Sequence, residues 1–84
     1  MPAPLSWGMA VKPDREFLAR LGRRVRSLRQ SRGMSQEDLS LECELNQTYI
    51  SGIERGRRNV TIHNLRVVAH ALKVTMAEFF EGLD

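Results

Sequence analysis

The stretch from Asn46 to Asn59, NQTYISGIERGRRN, combines a short helical pattern with side chains that can donate and accept hydrogen bonds. On a helix that turns about 100° per residue, three of its small polar side chains share one face: Gln47, Thr48 and Ser51. Ile50 and Ile53 lie on the other side, where they can anchor the helix to a core. Gln bonds an adenine edge and Thr or Ser bonds several bases, so this face suits the DNA major groove. An ordinary solvated polar face is the alternative interpretation.

Two arginines, Arg57 and Arg58, follow the helix stop at Gly56, where they can reach phosphates or a guanine. Arg outnumbers Lys by eleven to two in the whole chain, and its planar fork matches phosphate and base edges. The charge is segregated, since residues 35–54 carry five acidic and no basic side chains, whereas residues 55–73 carry five basic and no acidic ones. A solvated basic face explains this charge equally well until geometry is added.

The composition describes a small globular protein with a net charge of +3 and 42% hydrophobic residues. A chain of 84 residues suffices for one compact domain with a marginal core, which dimerisation would stabilise. The single cysteine, Cys43, excludes an internal disulfide and indicates a reducing compartment. No apolar run approaches the roughly 20 residues that span a bilayer, and the N-terminus does not read as a secretory signal. We expect a cytoplasmic protein.

Helix signals divide the chain into a flexible N-terminal arm, residues 1–13, and an all-α domain, residues 14–84. Five residues are expected to cap the starts of five helices: Asp14, Ser35, Asn46, Thr61 and Thr75. Gly33 and Gly56 are expected to end the first and third helices in left-handed conformations. Strand and hairpin signals are absent. The turn at Glu44 and Leu45 is tight, and a left-handed Glu44 would be mildly strained.

The run SQEDLSLECELNQTYISGIERG, residues 35–56, resembles the helix-turn-helix of the Cro and phage-repressor (XRE-type) family, and the likeness extends over about residues 21–80. It implies a lambda-repressor-like domain of five helices that binds double-stranded DNA as a dimer. RRVRSLRQSRGMSQEDL and TYISGIERGRRNVT are most similar to the restriction–modification controller proteins. Membership of that subgroup implies a transcriptional regulator that binds palindromic operators as a homodimer.

The resemblance also implies roles for individual residues. Four positions match residues that face base edges: Gln47, Thr48, Ser51 and Arg58. Four match positions that contact the DNA backbone: Gln36, Tyr49, Asn59 and Asn64, although simple packing is the alternative for Tyr49. Asn46, at the start of the third helix, and Arg57, just after its end, are also expected to contact the DNA backbone. Arg29 and Glu54 match a structural ion pair that ties the third helix to the first, and such a pair is costly to break. Gln47 departs from the controller pattern, which often has Arg there, so the preferred operator is expected to differ.

The dimer surface is expected at the most apolar part of the domain not needed for its core: Val67, Phe79, Phe80 and Leu83. One of the two phenylalanines is expected to belong to the core and the other to the interface. A twofold axis would place two recognition helices about 34 Å apart, in successive major grooves of a palindrome.

Two other classes of function remain as alternatives. XRE-type domains also serve as antitoxins or adaptors whose main partner is a protein, and here residues 1–13 are the candidate partner-binding segment. An enzyme is not expected, because His63 and His70 have no nearby Cys pair or carboxylate set at metal-ligand spacing. The sequence therefore predicts no metal, no cofactor and no small-molecule ligand, and it places Cys43 in the core.

Overall fold

The computed structural model describes residues 14–83, which form five helices. They are α1 (Arg15–Ser31), α2 (Gln36–Cys43), α3 (Gln47–Glu54), α4 (Ile62–Ala71) and α5 (Met76–Glu81). The described residues contain no strand, which confirms the predicted all-α fold class. The predicted arm, residues 1–13, lies outside the described residues.

Each helix begins at the side chain that the sequence predicts as its cap. In all five, a side-chain oxygen of the cap accepts a hydrogen bond from a backbone N–H of the first turn: Asp14, Ser35, Asn46, Thr61 and Thr75. At Ser35 and Thr75 the bond is reciprocal, because Asp38 and Glu78 accept from the backbone N–H of the cap. Local chemistry therefore determines where these helices start.

Left-handed residues separate the helices and turn the chain. Gly33 and Gly56 have φ of 68° and 71°, as predicted for residues that follow helix ends. Glu44 has a φ of 55° in the turn between α2 and α3, so this residue adopts the left-handed conformation that is mildly strained for a residue with a side chain. Lys73 has a φ of 62° between α4 and α5, which the sequence reading did not anticipate.

A single hydrophobic core lies between the helices. Its largest fully buried side chains come from all five of them: Val25, Leu39, Ile50, Ile53, Val68, Leu72 and Phe79. Helix α3 packs against both α1 and α2, and α2 also packs against α4. The short α5 is tied to α1 by Arg24, whose guanidinium donates to the carbonyls of Glu78 and Phe79 at 2.7 and 3.0 Å. The core therefore supports α3 from two sides.

Candidate DNA-binding surface

Helix α3 presents a polar face to solvent because its apolar residues are used for anchoring. Ile50 and Ile53 are fully buried in the core. Gln47 and Thr48 are exposed and Ser51 is half-buried, on the side of the helix that the wheel predicts to face outward. The predicted base-reading residues of α3 are therefore brought together and are accessible.

The start of α3 is held by its cap. Asn46 Oδ1 accepts a 2.7 Å hydrogen bond from the Thr48 backbone N–H, so this oxygen is occupied within the protein. The exposed side-chain amide nitrogen of Asn46 is the atom that can donate to a phosphate. The predicted contact of Asn46 with the DNA backbone would therefore be made by that nitrogen.

Helix α3 lies unusually close to α1 at Gly22. A Cβ atom on Gly22 would lie 2.4 Å from the Ile53 carbonyl oxygen and 2.5 Å from that of Glu54. Only a residue without a side chain fits there, since both neighbours are backbone atoms. Sequence reasoning missed this contact, although a Gly inside a helical pattern is itself a signal of close packing.

A buried ion pair fixes the end of α3 to α1. Arg29 donates two hydrogen bonds to the Glu54 carboxylate, at 2.7 and 3.0 Å, and a third to the Met34 carbonyl at 2.7 Å. The hydrogen bond to Glu54 raises the pKa of the Arg29 guanidinium above its ordinary value, despite the opposing effect of burial. Arg29 and Glu54, which the family resemblance predicts to form an ion pair, are therefore joined directly.

Gln36, expected to anchor a phosphate at the start of α2, takes part in the same network. Its Nε2 donates to Glu54 Oε1 at 3.1 Å, so Glu54 accepts from both α1 and α2. Gln36 is half-buried. Its side-chain nitrogen is therefore committed to an internal partner in the unbound protein, and its phosphate contact stays a prediction.

Tyr49 and Asn64, both predicted to contact the DNA backbone, contact each other. Asn64 Nδ2 donates to the Tyr49 hydroxyl at 3.1 Å, which links α3 to α4. The Tyr49 ring packs against the hydrophobic core, and the Arg58 guanidinium carbon lies 5.8 Å from its centroid. This geometry falls within the range of a cation–π contact.

The loop after α3 extends the polar face with positive charge. Arg57, Arg58 and Asn59 are all exposed. The Arg57 backbone N–H donates to the Gly52 carbonyl at 2.9 Å, so the loop starts at a defined place beside the helix. This hydrogen bond ties the start of the loop to the last turn of α3.

The residues predicted for the dimer surface separate into buried and accessible ones. Phe79 has no exposed surface and Leu83 is 6% exposed, so both belong to the core of the domain and offer no free surface to a second copy. Phe80 is 40% exposed and packs edge-on against Phe79, with ring centroids 5.5 Å apart. Val67 is half-buried. The predicted interface therefore narrows to Phe80 and Val67, because the other two residues are already buried within the domain.

Within residues 14–83, no group of three or more His, Cys, Asp or Glu side chains is placed to hold a metal ion. Over the same residues, no helix is both long and apolar enough to cross a membrane. Cys43 is buried, and burial followed by the nearby Glu42 charge raises the pKa of its thiol to about 11. This thiol stays protonated at neutral pH.

Two helices joined by a left-handed turn, with the second presenting a polar face, define the chain as a small helix-turn-helix domain. The family described as Helix-turn-helix matches residues 25–79, and the chain belongs to this family. The family comprises DNA-binding regulators and is not a family of enzymes.

The similar proteins include several control proteins. Control protein C.BamHI from Bacillus amyloliquefaciens is 52% identical over 54 residues, which cover 63% of this chain and 67% of that protein. Control protein C.MunI from Mycoplasma sp is 35% identical over 66 residues, which cover 77% and 89%. The restriction-modification controller protein C.Esp1396I, in a crystal structure of its tetramer with its natural 35 base-pair operator, superimposes with a TM-score of 0.75 at 42% identity. That match covers 80% of this chain and 88% of the other.

Proposed function

We propose that the protein is a sequence-specific transcriptional regulator, the controller of a restriction–modification system, which binds a palindromic operator as a homodimer. The observation that carries the proposal is the accessible polar face of α3, with Gln47 and Thr48 exposed beside the arginines of the following loop. The likeness to a controller crystallised with its operator supports the same conclusion. Operator binding requires access to the genome, so the proposal includes a cytoplasmic location.

Recognition would combine two kinds of contact. Phosphate contacts set the register of a protein on the duplex, and base contacts give sequence preference. Arg57, Asn59 and the amide of Asn46 are suited to the first task, since all are exposed and polar. Gln47, Thr48 and Ser51 are suited to the second, as their donors and acceptors match base edges in the major groove.

Gln47 is the residue on which operator preference would depend most. It lies at the first position of α3 and is exposed. Gln forms paired hydrogen bonds with adenine, whereas Arg at this position would favour guanine. An operator with adenine at the corresponding position of each half-site is therefore expected.

A homodimer would double this readout. One recognition helix reads only a few base pairs, and two helices about 34 Å apart read both halves of a palindrome. Phe80 and Val67 are the proposed contact residues, because Phe80 is exposed and Val67 is only half-buried, so both retain accessible apolar surface. Whether the bound dimer activates or represses would follow from the distance between operator and promoter.

The test uses DNA duplexes selected by the wild-type protein from a random-sequence pool, compared with shuffled duplexes of the same composition. Replacing Arg58 with Ala should weaken binding to the selected duplex by roughly 10- to 100-fold per half-site, with little effect on the shuffled duplex. Replacing Arg57 with Ala should weaken both and reduce the slope of log K against log salt by about one per half-site.

Arg66→Ala is the matched control. Arg66 is exposed on α4 but lies two residues after Asn64, about 200° around the helix, and so points away from α3. Its replacement should leave the preference for the selected duplex unchanged. Equal binding of selected and shuffled duplexes by the wild-type protein, or a flat salt response, would exclude the proposed function.

A further inference from the structure

The Arg58 side chain folds back across α3 at Gly52. A Cβ atom on Gly52 would lie 2.7 Å from Arg58 Cγ, 3.3 Å from Nε and 3.6 Å from Cδ. These are the three nearest heavy atoms to that position outside the adjacent residues and the helix's own nearby backbone. The stem of Arg58 therefore fills the space that any larger residue at position 52 would occupy.

The far end of Arg58 rests beside a ring that is itself fixed. The guanidinium carbon lies 5.8 Å from the Tyr49 centroid, and the Tyr49 hydroxyl accepts a 3.1 Å hydrogen bond from Asn64 of α4. A guanidinium within about 6 Å of an aromatic centroid is attracted to the ring. We call Gly52, Tyr49 and Asn64 together the Arg58 seat.

The backbone of α3 gives no reason for a glycine at position 52. The glycines with positive φ among the described residues are Gly33 and Gly56, whereas Gly52 lies inside a helix. Ala is a better helix former than Gly at such a position. The contact with Arg58 explains why position 52 is a glycine, which the helical backbone alone does not explain.

We propose that Gly52 is a positioning residue for DNA recognition, because its missing side chain lets Arg58 rest on the Tyr49 ring before DNA is bound. The inference rests on the proposed function, in which Arg58 contacts the operator. A long side chain loses conformational freedom when an interface orders it, and that loss weakens binding. The Arg58 seat reduces the loss by restricting the guanidinium in advance, next to the polar face of α3.

The experiment is a double-mutant cycle on the selected duplex, with wild type, Gly52→Ala, Arg58→Ala and the double variant. Gly52→Ala should weaken binding by roughly 2- to 10-fold per half-site in the wild-type background. It should have no further effect when Arg58 is already Ala, because Gly52 then has nothing to position. The Gly52→Ala protein should fold normally, since the added methyl meets a flexible side chain and not the backbone.

A second measurement tests the seat without DNA. The side-chain methylene protons of Arg58 should show upfield ring-current shifts in the NMR spectrum of the free protein, and these shifts should disappear in Gly52→Ala. Retained shifts in that variant would overturn the proposal. A merely structural role of Gly52 would leave these shifts in place.

The outcomes separate the two proposals. If Arg58→Ala weakens operator binding but Gly52→Ala does not, the proposed function stands and the positioning role of Gly52 is overturned. If Gly52→Ala causes the same loss in both backgrounds, its methyl obstructs the DNA directly and the positioning role is again overturned. If Arg58→Ala itself has no effect, Arg58 is not a DNA contact, and both its proposed role and the positioning role of Gly52 in recognition are overturned.

Discussion

Removal of the Glu54 carboxylate should destabilise the domain more than any single change on its surface. The Glu54 side chain is 3% exposed and accepts from Arg29 and from Gln36, while the Arg29 side chain is 10% exposed. In Glu54→Ala, the buried Arg29 guanidinium keeps its charge and its bond to Met34 but loses two hydrogen bonds. Breaking a buried pair in this way costs about 3–5 kcal/mol.

That loss is a large part of the stability of the molecule. A domain of this size has a free energy of unfolding of roughly 4–10 kcal/mol. Replacing both partners with apolar residues, Arg29→Met with Glu54→Leu, should cost much less than the sum of the two single changes, since no uncompensated charge remains. The free energy of unfolding is measured by urea denaturation, monitored by far-UV circular dichroism. Variants are compared when the slope of this free energy against urea concentration is the same.

Glu16→Ala is the matched control, since it breaks an ion pair of similar length, 2.8 Å to Arg20, on the exposed side of α1. That change should cost only about 0.3–0.5 kcal/mol. A loss of stability in Glu54→Ala no larger than in Glu16→Ala would contradict a stabilising role for the buried pair. So would a double variant that loses as much stability as the two single changes together.

Three further results follow from the structure. Gly22→Ala should destabilise the domain by about 3 kcal/mol or more in the same unfolding assay, because its methyl would overlap backbone carbonyls, and a stabilised variant would contradict the close contact. Iodoacetamide at pH 8 should alkylate Cys43 roughly a hundredfold more slowly in the native protein than in urea, since a thiol with a pKa of about 11 is scarcely ionised; equal rates would contradict its burial. Hydrogen bonds from the backbone and side chain of Ser35 lower the pKa of the Asp38 carboxyl group. The ionised Asp38 therefore stabilises the fold above the pKa of about 4 that it has in the unfolded chain, and this stabilisation is lost as the pH falls through the lower pKa of the folded state. Unfolding measured from pH 5 downward should therefore show a shallower loss of stability for Asp38→Asn than for wild type, and identical profiles would contradict the capping role.

The helix boundaries were predictable because they depend on neighbours along the chain. Capping side chains such as Ser35 and Thr75 bond to backbone groups two or three residues away, and a left-handed Gly56 ends a helix whatever packs around it. The outward direction of Gln47 and Thr48 was equally predictable, since the helical period and the buried Ile50 determine it together.

The contacts that the sequence did not reveal depend on how the helices cross. Nothing local distinguishes Phe79 from Phe80, and only the way the helices pack together buries one ring while leaving the other 40% exposed. The bond of Gln36 to Glu54 and the carbonyl contacts of Arg24 likewise join residues that are distant in sequence. The resemblance to a family predicted the pairing of Arg29 with Glu54, whereas the spacing of charges along the sequence would not have predicted it.

The close passage of α3 over Gly22 has a consequence for divergence between related regulators. The contact is made by the carbonyl groups of Ile53 and Glu54, so it does not involve the side chains that α3 carries on its outer face. Under the proposed function, mutations at positions 47, 48 and 51 would alter operator preference without disturbing this contact. If these residues read the operator as proposed, related regulators would acquire separate operators, and avoid regulating one another's genes, through a few substitutions on the outer face of α3.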